Sequence, residues 1–498
     1  MSVTRDRILN VARARRPHYT IPRRPVVFET LEEAQNFIRE HEIAMVDLKF
    51  CDLWGRWHHV TVPGTKFTPE LMAEGVGFDG SSVGFKSISA GDMVAVPDLS
   101  TGAPDPFWDM PTLSFICSAK EADTREVFPY DPRNIALRAE AHMQSTGVAD
   151  TSLWGPEFEF YVFNRMGYQN RINSAFYRVE SEEADWNTQE LGCGYTIPRH
   201  GGYHAIPPQD HLYNLRSRIS RHLLDMGLDV KYHHHEVGGP GQCEIEIPML
   251  PLIQAADGAL LVKYVSRMTA FKEGMSVTFM PKPLYGEAGS GMHFHQQLWQ
   301  DGKNRCYDAK QYGTISDVGR YYIGGLLRHG GAVMGFTNPS TNSFRRLVPG
   351  YEAPISAIYS LGNRSAAVRI PKYANQPDSA RFEFRPPDAT CNPYLAMAAQ
   401  LLAGLDGILK RMDPTEMGFG PVDEDIFTWS AEKRATINAL PTSLGAAMDA
   451  LEADHDFLLA GDVFNEELIQ RWIKRKRWEE QQVNNRPHPY EIELYYDL

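Results

Sequence analysis

The chain has 498 residues, of which 43% are hydrophobic and 23% charged, and its net charge is −13. That length accommodates two or more domains, or a large one with a small partner, and the composition is that of a soluble globular chain. The negative balance argues against nucleic acid or an anionic membrane as partner. No run of about 20 apolar residues offers a membrane span, and the scattered cysteines are those expected of a reduced cytoplasmic protein.

Met1 to Arg16 are basic and polar, with no apolar core of signal-peptide length, so no secretion signal is expected. Their arginines would suit a transit peptide, but Asp6 and the lack of a serine-rich run argue against one. Residues 1–27, with prolines between Arg13, Arg15, Arg16, Arg23 and Arg24, read as an N-terminal extension. Leu31 to His41 has helical spacing. Ala44 to Phe50 and Trp57 to Val62 alternate like strands about the turn Asp52-Leu53-Trp54-Gly55, the pattern of a hairpin. A small β domain is expected to end near Pro129-Tyr130-Asp131-Pro132, with a helix from Arg133 to about Gln144. Strands then interleave with helices expected at 210–226, 253–273, 315–333, 393–411, 443–452 and 464–484. The fold class is α+β: a small β domain, then a large domain with an antiparallel sheet and flanking helices.

Four short motifs alternate polar and apolar residues: Gly155-Pro156-Glu157-Phe158-Glu159-Phe160, Cys243-Glu244-Ile245-Glu246-Ile247, Met292-His293-Phe294-His295 and Arg381-Phe382-Glu383-Phe384-Arg385. Successive strand side chains point to opposite faces, so each motif buries one set and presents acids, imidazoles or guanidiniums on the other. Like charges about 4 Å apart repel by about 4 kcal/mol at an effective dielectric near 20. A floor of this kind needs cations, and carboxylates with one imidazole suit Mg²⁺ or Mn²⁺. A fifth cluster, His233-His234-His235-Glu236 running through glycines to Glu244, contains three consecutive histidines. They cannot all face one side of a strand, so at most two can be ligands. Zinc is the alternative there, disfavoured by abundant Glu and the lack of Cys ligands. The six cysteines, Cys51, Cys117, Cys193, Cys243, Cys306 and Cys391, form no zinc spacing and are expected as ordinary thiols. The polar, turn-rich stretch Asn338 to Glu352 has the character of a loop covering a site. Arg346, Arg364, Arg369, Arg381 and Arg385 could hold phosphate and carboxylate. There is no Walker loop and no GxGxxG, so any nucleotide must be held by metals and arginines. The residues alone imply a Mg²⁺- or Mn²⁺-dependent enzyme for a phosphorylated or carboxylate substrate.

These motifs in this order, with Phe78-Asp79-Gly80-Ser81-Ser82, Asn363 to Pro371 and Cys391-Asn392-Pro393-Tyr394, resemble type I glutamine synthetase from about Ile43 to Leu498. The resemblance implies an N-terminal extension over 1–42, a β-grasp domain over 43–130 and a catalytic domain with a curved antiparallel sheet over 131–498. It implies ATP-dependent ligation of ammonia to L-glutamate through γ-glutamyl phosphate, with two or more Mg²⁺ or Mn²⁺ per site. Glu159, Glu236 and Glu244 would hold one metal, and Glu157, His293 and Glu383 the second. Arg346 and Arg385 would meet the glutamate carboxylates, with Gly289 in the loop beside them. His295, Gln297, Arg364, Arg369 and Arg381 would line the ATP side, Arg364 and Arg369 around the transferring phosphoryl. Asp79, from a neighbouring subunit of a double-ring dodecamer, would draw a proton from ammonium. Glu352 would shield the intermediate, and Ser82, Tyr203, Glu236 and Glu352 would complete an ammonium cage.

The pattern departs from the family at Ala288, where Asn is usual, at Lys231, Gln297 and Asp378, where Glu, Ser and Lys are expected, at Met249, where an aromatic is common, and at Gly84-Phe85, which replaces Gly-Trp. These changes give weight to a second reading, a γ-glutamyl ligase for methylamine or another amine. A third, a non-catalytic structural relative, is opposed by the presence of every matched metal ligand and phosphate arginine. Some bacterial members are switched off by adenylylation of a tyrosine in a loop resembling Asp423 to Trp429, where this chain has Phe427. Phe427 has no hydroxyl to modify. Mass spectrometry of peptides covering residues 420–430 is expected to find no AMP adduct, and an adduct there would overturn this reading.

Overall fold

The structure, a computed structural model, describes residues 27–87, 90–189, 194–348, 354–424, 426–434 and 436–498, with the backbone alone at 427 and 431. Residues 1–26, Cys193, Glu352 and the side chain of Phe427 lie outside it.

Helix α1 (Leu31–Glu40) starts at a capping box in which Thr30 Oγ1 accepts from the Glu33 amide and the Glu33 carboxylate accepts from the Thr30 amide. Although α1 falls in the stretch expected as an extension, it is packed: Phe37 lies edge-on to Phe28, which tilts against Phe115. The expected hairpin forms as β1 (Met45–Cys51) and β2 (Trp57–Pro63), antiparallel from Met45↔Pro63 to Cys51↔Trp57. Asp52 fixes its turn by accepting from the Trp54 and Arg56 amides at 2.9 and 2.8 Å. Gly55, at φ +85°, lies so close to Asn392 that a Cβ would sit 2.9 Å from its Cα. Helix α2 (Pro69–Glu74) and strands β3 (Val76–Asp79), β4 (Asp92–Pro97), β5 (Ala103–Asp105) and β6 (Thr112–Glu121) follow. The sheet runs β2-β1-β6-β4-β3, with β5 on β6 and β1 parallel to β6.

After α3 (Pro132–Ser145), the long strand β7 (Thr151–Phe163) begins the second sheet, and β8 (Arg165–Arg171) and β9 (Ser174–Glu180) form a separate two-stranded hairpin. Next come α4 (Tyr213–Asp225), β10 (Tyr232–His235), β11 (Gln242–Glu246), β12 (Leu250–Pro251), α5 (Leu252–Lys272), β13 (Ser276–Thr278), β14 (Phe294–Gln300) and β15 (Lys303–Asn304). Helices α6 (Asp317–Arg328), α7 (Gly330–Thr337) and α8 (Ser343–Arg346) precede β16 (Ser356–Leu361), β17 (Ala366–Ile370) and β18 (Phe382–Phe384). The chain closes with α9 (Pro393–Leu409), α10 (Ala431–Arg434), α11 (Leu444–Ala453), α12 (Glu466–Asn484) and α13 (Pro489–Tyr495). The second sheet runs β10-β11-β7-β14-β18-β17-β16. It is antiparallel as expected except at its end, where β16 and β17 are parallel.

Helix α9 is the centre of the core. Every residue from Pro393 to Leu405 is buried. α6 crosses it closely, because a Cβ on Gly325 would meet the Ala403 carbonyl oxygen at 2.0 Å.

The helix expected over 315–333 is broken at His329 into α6 and α7. His329 is buried there, its Nε2 2.9 Å from Asp406 Oδ2 and its Nδ1 2.9 Å from Asp454 Oδ2, and its ring stacks on Phe457. Burial alone would lower the His329 pKa, but the hydrogen bonds and charges of Asp406 and Asp454 raise it above the usual histidine value. Lys410 and Arg328 face the same two carboxylates. A raised folded-state pKa contributes stability that is complete below the unfolded value, about 6.5, and is lost as pH rises through the folded value. His329→Leu is expected to cost about 2 kcal/mol at pH 6 and to flatten the pH dependence of thermal unfolding between pH 6 and 9. Equal slopes for variant and wild type would refute the assignment.

Candidate active site

Strand register assembles the polar floor. Across β11 and β7, Gln242 faces Tyr161, Glu244 faces Glu159 and Glu246 faces Glu157. His234 of β10 faces Glu244, and Tyr232 faces Glu246. On the other side, β14 places His295 opposite Glu383 of β18, and Arg369 of β17 lies opposite Glu383 in turn. The intervening Phe158, Phe160, Ile245 and Phe382 are buried on the opposite face, as alternation requires.

Two groups of three donors result, each with its ligand atoms within 4.8 Å of one another: Glu157 with His295 and Glu383, and His234 with Glu236 and Glu244. His293 belongs beside the first, its Nδ1 3.0 Å from Glu157 Oε2 and 3.4 Å from Glu383 Oε1. Its Nε2 lies 3.8 Å from Glu159 Oε1, so His293 stands between the groups. Glu159 joins neither triad but accepts from the Gly291 amide at 2.8 Å. The structure thus brings His295 and His234 within ligand distance of residues in the expected sets. Of the three histidines, His233 meets Arg216 and Ser217 and His235 meets Glu183, so only His234 reaches the site. The register opposite Glu244 was the signal that selects it.

The two groups differ electrostatically. Burial would raise Glu157, but the charge of His295 and hydrogen bonds from His293 and His295 hold it well below the usual carboxylate range. Burial likewise opposes ionisation of Glu383, and Arg385 offsets it, leaving its pKa at about 2. On the other side, the His234 imidazole offsets only part of the effect on Glu236. Burial, then the charges of Glu159 and Glu244, push Glu236 up to about 9, and burial with Glu157 and Glu159 pushes Glu244 well above its usual value. This excess of buried negative charge, held by oxygen donors with an imidazole, fits hard divalent cations.

The arginines are distributed differently from the sequence order. Glu383 is paired with Arg385 and with Arg369, the latter at 2.5 Å. Arg381, which shares the alternating face, instead donates to the Ser379 carbonyl and lies over Tyr373. Arg346 is buried in α8, within the stretch expected to be loop. Its guanidinium donates to the carbonyls of Pro386 at 2.8 Å and Arg385 at 3.2 Å, and lies 3.1 Å from His293 Nε2. Gly289 packs against it: a Cβ there would sit 2.6 Å from Arg346 Cγ. Arg364 is exposed, and its carbonyl accepts from Arg385 Nε.

Gln297 is buried and fully engaged. Its Nε2 donates to the carbonyls of Asp378 and Ala380, each at 3.0 Å, and its Oε1 accepts from Trp299 Nε1. Lys231 pairs with Glu246 at 2.5 Å. Tyr203 is half-exposed beside the acid-rich group, its ring 5.6 Å from that of His234.

Asp79 and Ser82 stand apart. Asp79 accepts from Ser82 Oγ at 2.6 Å and from the Ser81 amide at 2.9 Å, and these bonds lower its pKa. Among the described residues, no hydrogen bond or ion pair joins either residue to the carboxylate groups. Arg471 of α12 holds the adjoining turn through the Gly84 and Phe85 carbonyls. No helix among the described residues is long and apolar enough to cross a membrane.

The α+β fold carries two donor groups suited to divalent cations, and comparison places it further. A family model for the glutamine synthetase catalytic domain matches residues 129–495, and one for the glutamine synthetase beta-Grasp domain matches 42–122. A glutamine synthetase of Streptomyces coelicolor is 47% identical over 476 residues, covering 95% of this chain and 100% of that protein. The cryo-EM structure of Plasmodium falciparum glutamine synthetase superposes with a TM-score of 0.85 at 27% identity, covering 95% of this chain and all of that one. A structure described as a GmaS/ADP complex superposes with a TM-score of 0.77 at 25% identity, over 93% of this chain and 99% of that one. The chain belongs to the glutamine synthetase family.

Glu383 is the most heavily committed carboxylate of the floor. Glu383→Ala would leave the buried Arg385 and the partly buried Arg369 without their partner, an effect of about 3–5 kcal/mol on stability. Thermal unfolding of the variant, set beside Arg381→Ala as a control that leaves the Glu383 pairs intact, checks this. Equal losses in the two variants would refute the pairing.

Proposed function

We infer that the protein joins ammonia to the γ-carboxylate of L-glutamate with the conversion of ATP to ADP and phosphate, yielding L-glutamine through γ-glutamyl phosphate. The observation that carries this reading is the register-built floor of Glu157, Glu159, Glu244, His293 and Glu383 in a chain matched along its length by glutamine synthetases. The reading as a ligase for larger amines gains no support from the 47% identical relative, which is named a glutamine synthetase.

Glu159, Glu236 and Glu244, with His234 beside them, would hold one Mg²⁺ or Mn²⁺, and Glu157, His293 and Glu383, with His295, another. Such ions would neutralise phosphate charge and withdraw electrons from the transferring phosphoryl. The protein's own groups do the rest. Arg346, fixed by backbone carbonyls, and Arg385 place the glutamate carboxylates, and Arg364 and Arg369 stabilise the phosphoryl as charge develops. Arg381, His295 and Gln297 lie on the ATP side; Gln297 acts by holding the Asp378–Ala380 segment, since its amide is already engaged. The superposition with a protein described as an ADP complex supports nucleotide use. Asp79 accepts a proton from ammonium, leaving the lone pair that attacks the acyl phosphate. Ser82, Tyr203 and Glu236 surround the cation, and Glu352 closes the site.

Asp79 lies on the small sheet, with no hydrogen bond or ion pair to the floor among the described residues, so we assign it to the site of an adjacent subunit in a cytoplasmic dodecamer. The domain division at 43–130 and 131–498 follows from the same reading.

Release of ADP with glutamate and a panel of amines tests the reaction. Asp79, Glu236, Ser82 and Tyr203 offer acceptors and bulk suited to a small tetrahedral cation, so kcat/KM for ammonium is expected to exceed that for methylamine by about ten- to a hundredfold. A better rate with an alkylamine would overturn the assignment. Chelation of divalent cations is expected to abolish turnover. Mixed assemblies of Asp79→Ala and Glu352→Ala subunits are expected to regain activity that neither variant has alone, and an active monomer would refute the shared site.

A further inference from the structure

We propose that Gln242 is a positioning residue that couples the loop carrying Glu236 to the glycine loop at 288–291. The inference rests on the ligase reading above and deepens it by assigning a joint between two substrate sides of that site. Gln242 opens β11, is 1% exposed and lies opposite Tyr161 of β7. Its amide has a donor and an acceptor end, and each is engaged by a different loop. Oε1 accepts from the Gly238 amide at 2.7 Å, within the turn that follows Glu236. Nε2 donates to the Gly289 carbonyl at 3.0 Å and to Ser290 Oγ at 3.2 Å. One buried side chain thereby fixes both loops.

Each loop carries groups the reaction uses. The first holds Glu236, and its backbone also carries the Tyr203 segment: the Gly202 amide donates to the Val237 carbonyl at 3.1 Å and the His204 amide to the His235 carbonyl at 3.0 Å. The second presents Gly289 against Arg346, and its Gly291 amide holds Glu159 at 2.8 Å. Tyr161 hydrogen-bonds the second loop, its hydroxyl donating to the Ala288 carbonyl at 2.7 Å, while against the first loop it makes a packing contact at Gly238. There is no slack at the joint, since a Cβ on Gly238 would lie 2.0 Å from the Tyr161 hydroxyl and 2.8 Å from Gln242 Oε1. The Ala288 side chain offers no hydrogen bond, so the carbonyls of Ala288 and Gly289 are what Tyr161 and Gln242 hold. A buried amide replaced by an apolar group of similar size leaves its former partners unsatisfied.

Steady-state kinetics of the full assembled enzyme with Mg²⁺ test this with Gln242→Met, Gln242→Glu and Tyr161→Phe. Gln242→Met is expected to raise KM for both glutamate and ammonium about tenfold, the effect of losing about one buried hydrogen bond to each loop. KM for ATP is expected to stay within about twofold, because the joint touches neither Arg369 nor Glu383. Tyr161→Phe is expected to raise KM for glutamate alone. Should Gln242→Met fail to assemble, Gln242→Glu keeps an acceptor for Gly238 and loses the donors, so KM for glutamate should rise more than KM for ammonium. Parallel changes in all three KM values, or a fall in kcat that follows thermal stability with KM unchanged, would reduce Gln242 to a structural role and overturn the proposal. A wild-type enzyme that formed no glutamine would instead overturn the ligase reading itself.

Discussion

The structure depends on one constraint: buried carboxylates on adjacent strands must find positive charge. Glu244 faces Glu159 and Glu246 faces Glu157 across a single strand pair, where alternation forces acids onto one face and aromatics onto the other. The two ends of the floor meet the constraint differently. At the β14–β18 end, Arg369 and Arg385 supply it while His293 and His295 hydrogen-bond Glu157, and Glu157 and Glu383 are held below the usual carboxylate range. At the β10–β11 end the acids face one another, and burial with mutual repulsion raises Glu236 and Glu244. A divalent cation therefore has most to gain at the second end, while the first is already organised for anionic oxygen.

The scaffold around this floor explains its rigidity. α9 is buried along most of its length, and glycines on α6 let that helix approach it closely. The small sheet is tied to the helices around the large one at Gly55, pressed on Asn392 at the start of α9, and through Arg133 of α3, whose guanidinium is bidentate to Asp257 of α5 and also reaches Asp98. Asn392 in turn donates to the Asp52 and Leu53 carbonyls. The hairpin turn is thus built into the start of α9. The Asp79 segment is held by Arg471 from the far end of the chain. These ties fix where each sheet presents its reactive groups.

The departures from the family pattern take on physical meaning in this setting. Lys231 brings a cation to Glu246, a carboxylate that would otherwise lie buried opposite Glu157. Gln297 spends its amide on the carbonyls of Asp378 and Ala380, so two of the altered positions form one local arrangement. Ala288 contributes its carbonyl to Tyr161, a contact any side chain permits.

Much of this was legible in the residues. The β1–β2 hairpin, α3, α5, α9 and α12 followed from turn chemistry and periodicity, since long amphipathic or apolar segments and turns such as Asp52-Leu53-Trp54-Gly55 are local properties. The alternating motifs revealed which side chains share a face, because that depends on strand geometry alone. What local pattern could not decide was partnership. Only pairing of β10 with β11 selected His234 from three histidines, and only the β14–β18–β17 register joined His295 and Arg369 to Glu383 while sending Arg381 to Tyr373. At the break between α6 and α7 His329 is held by two distant aspartates, Arg346 is held in a short helix by the carbonyls of residues 385 and 386, and β16 pairs in parallel with β17 although only residues 362–365 separate them. Sequence determined the face on which each group lies, through the two-residue repeat of a strand. Tertiary structure decided which groups meet, because register and long-range hydrogen bonds join residues that no local repeat relates.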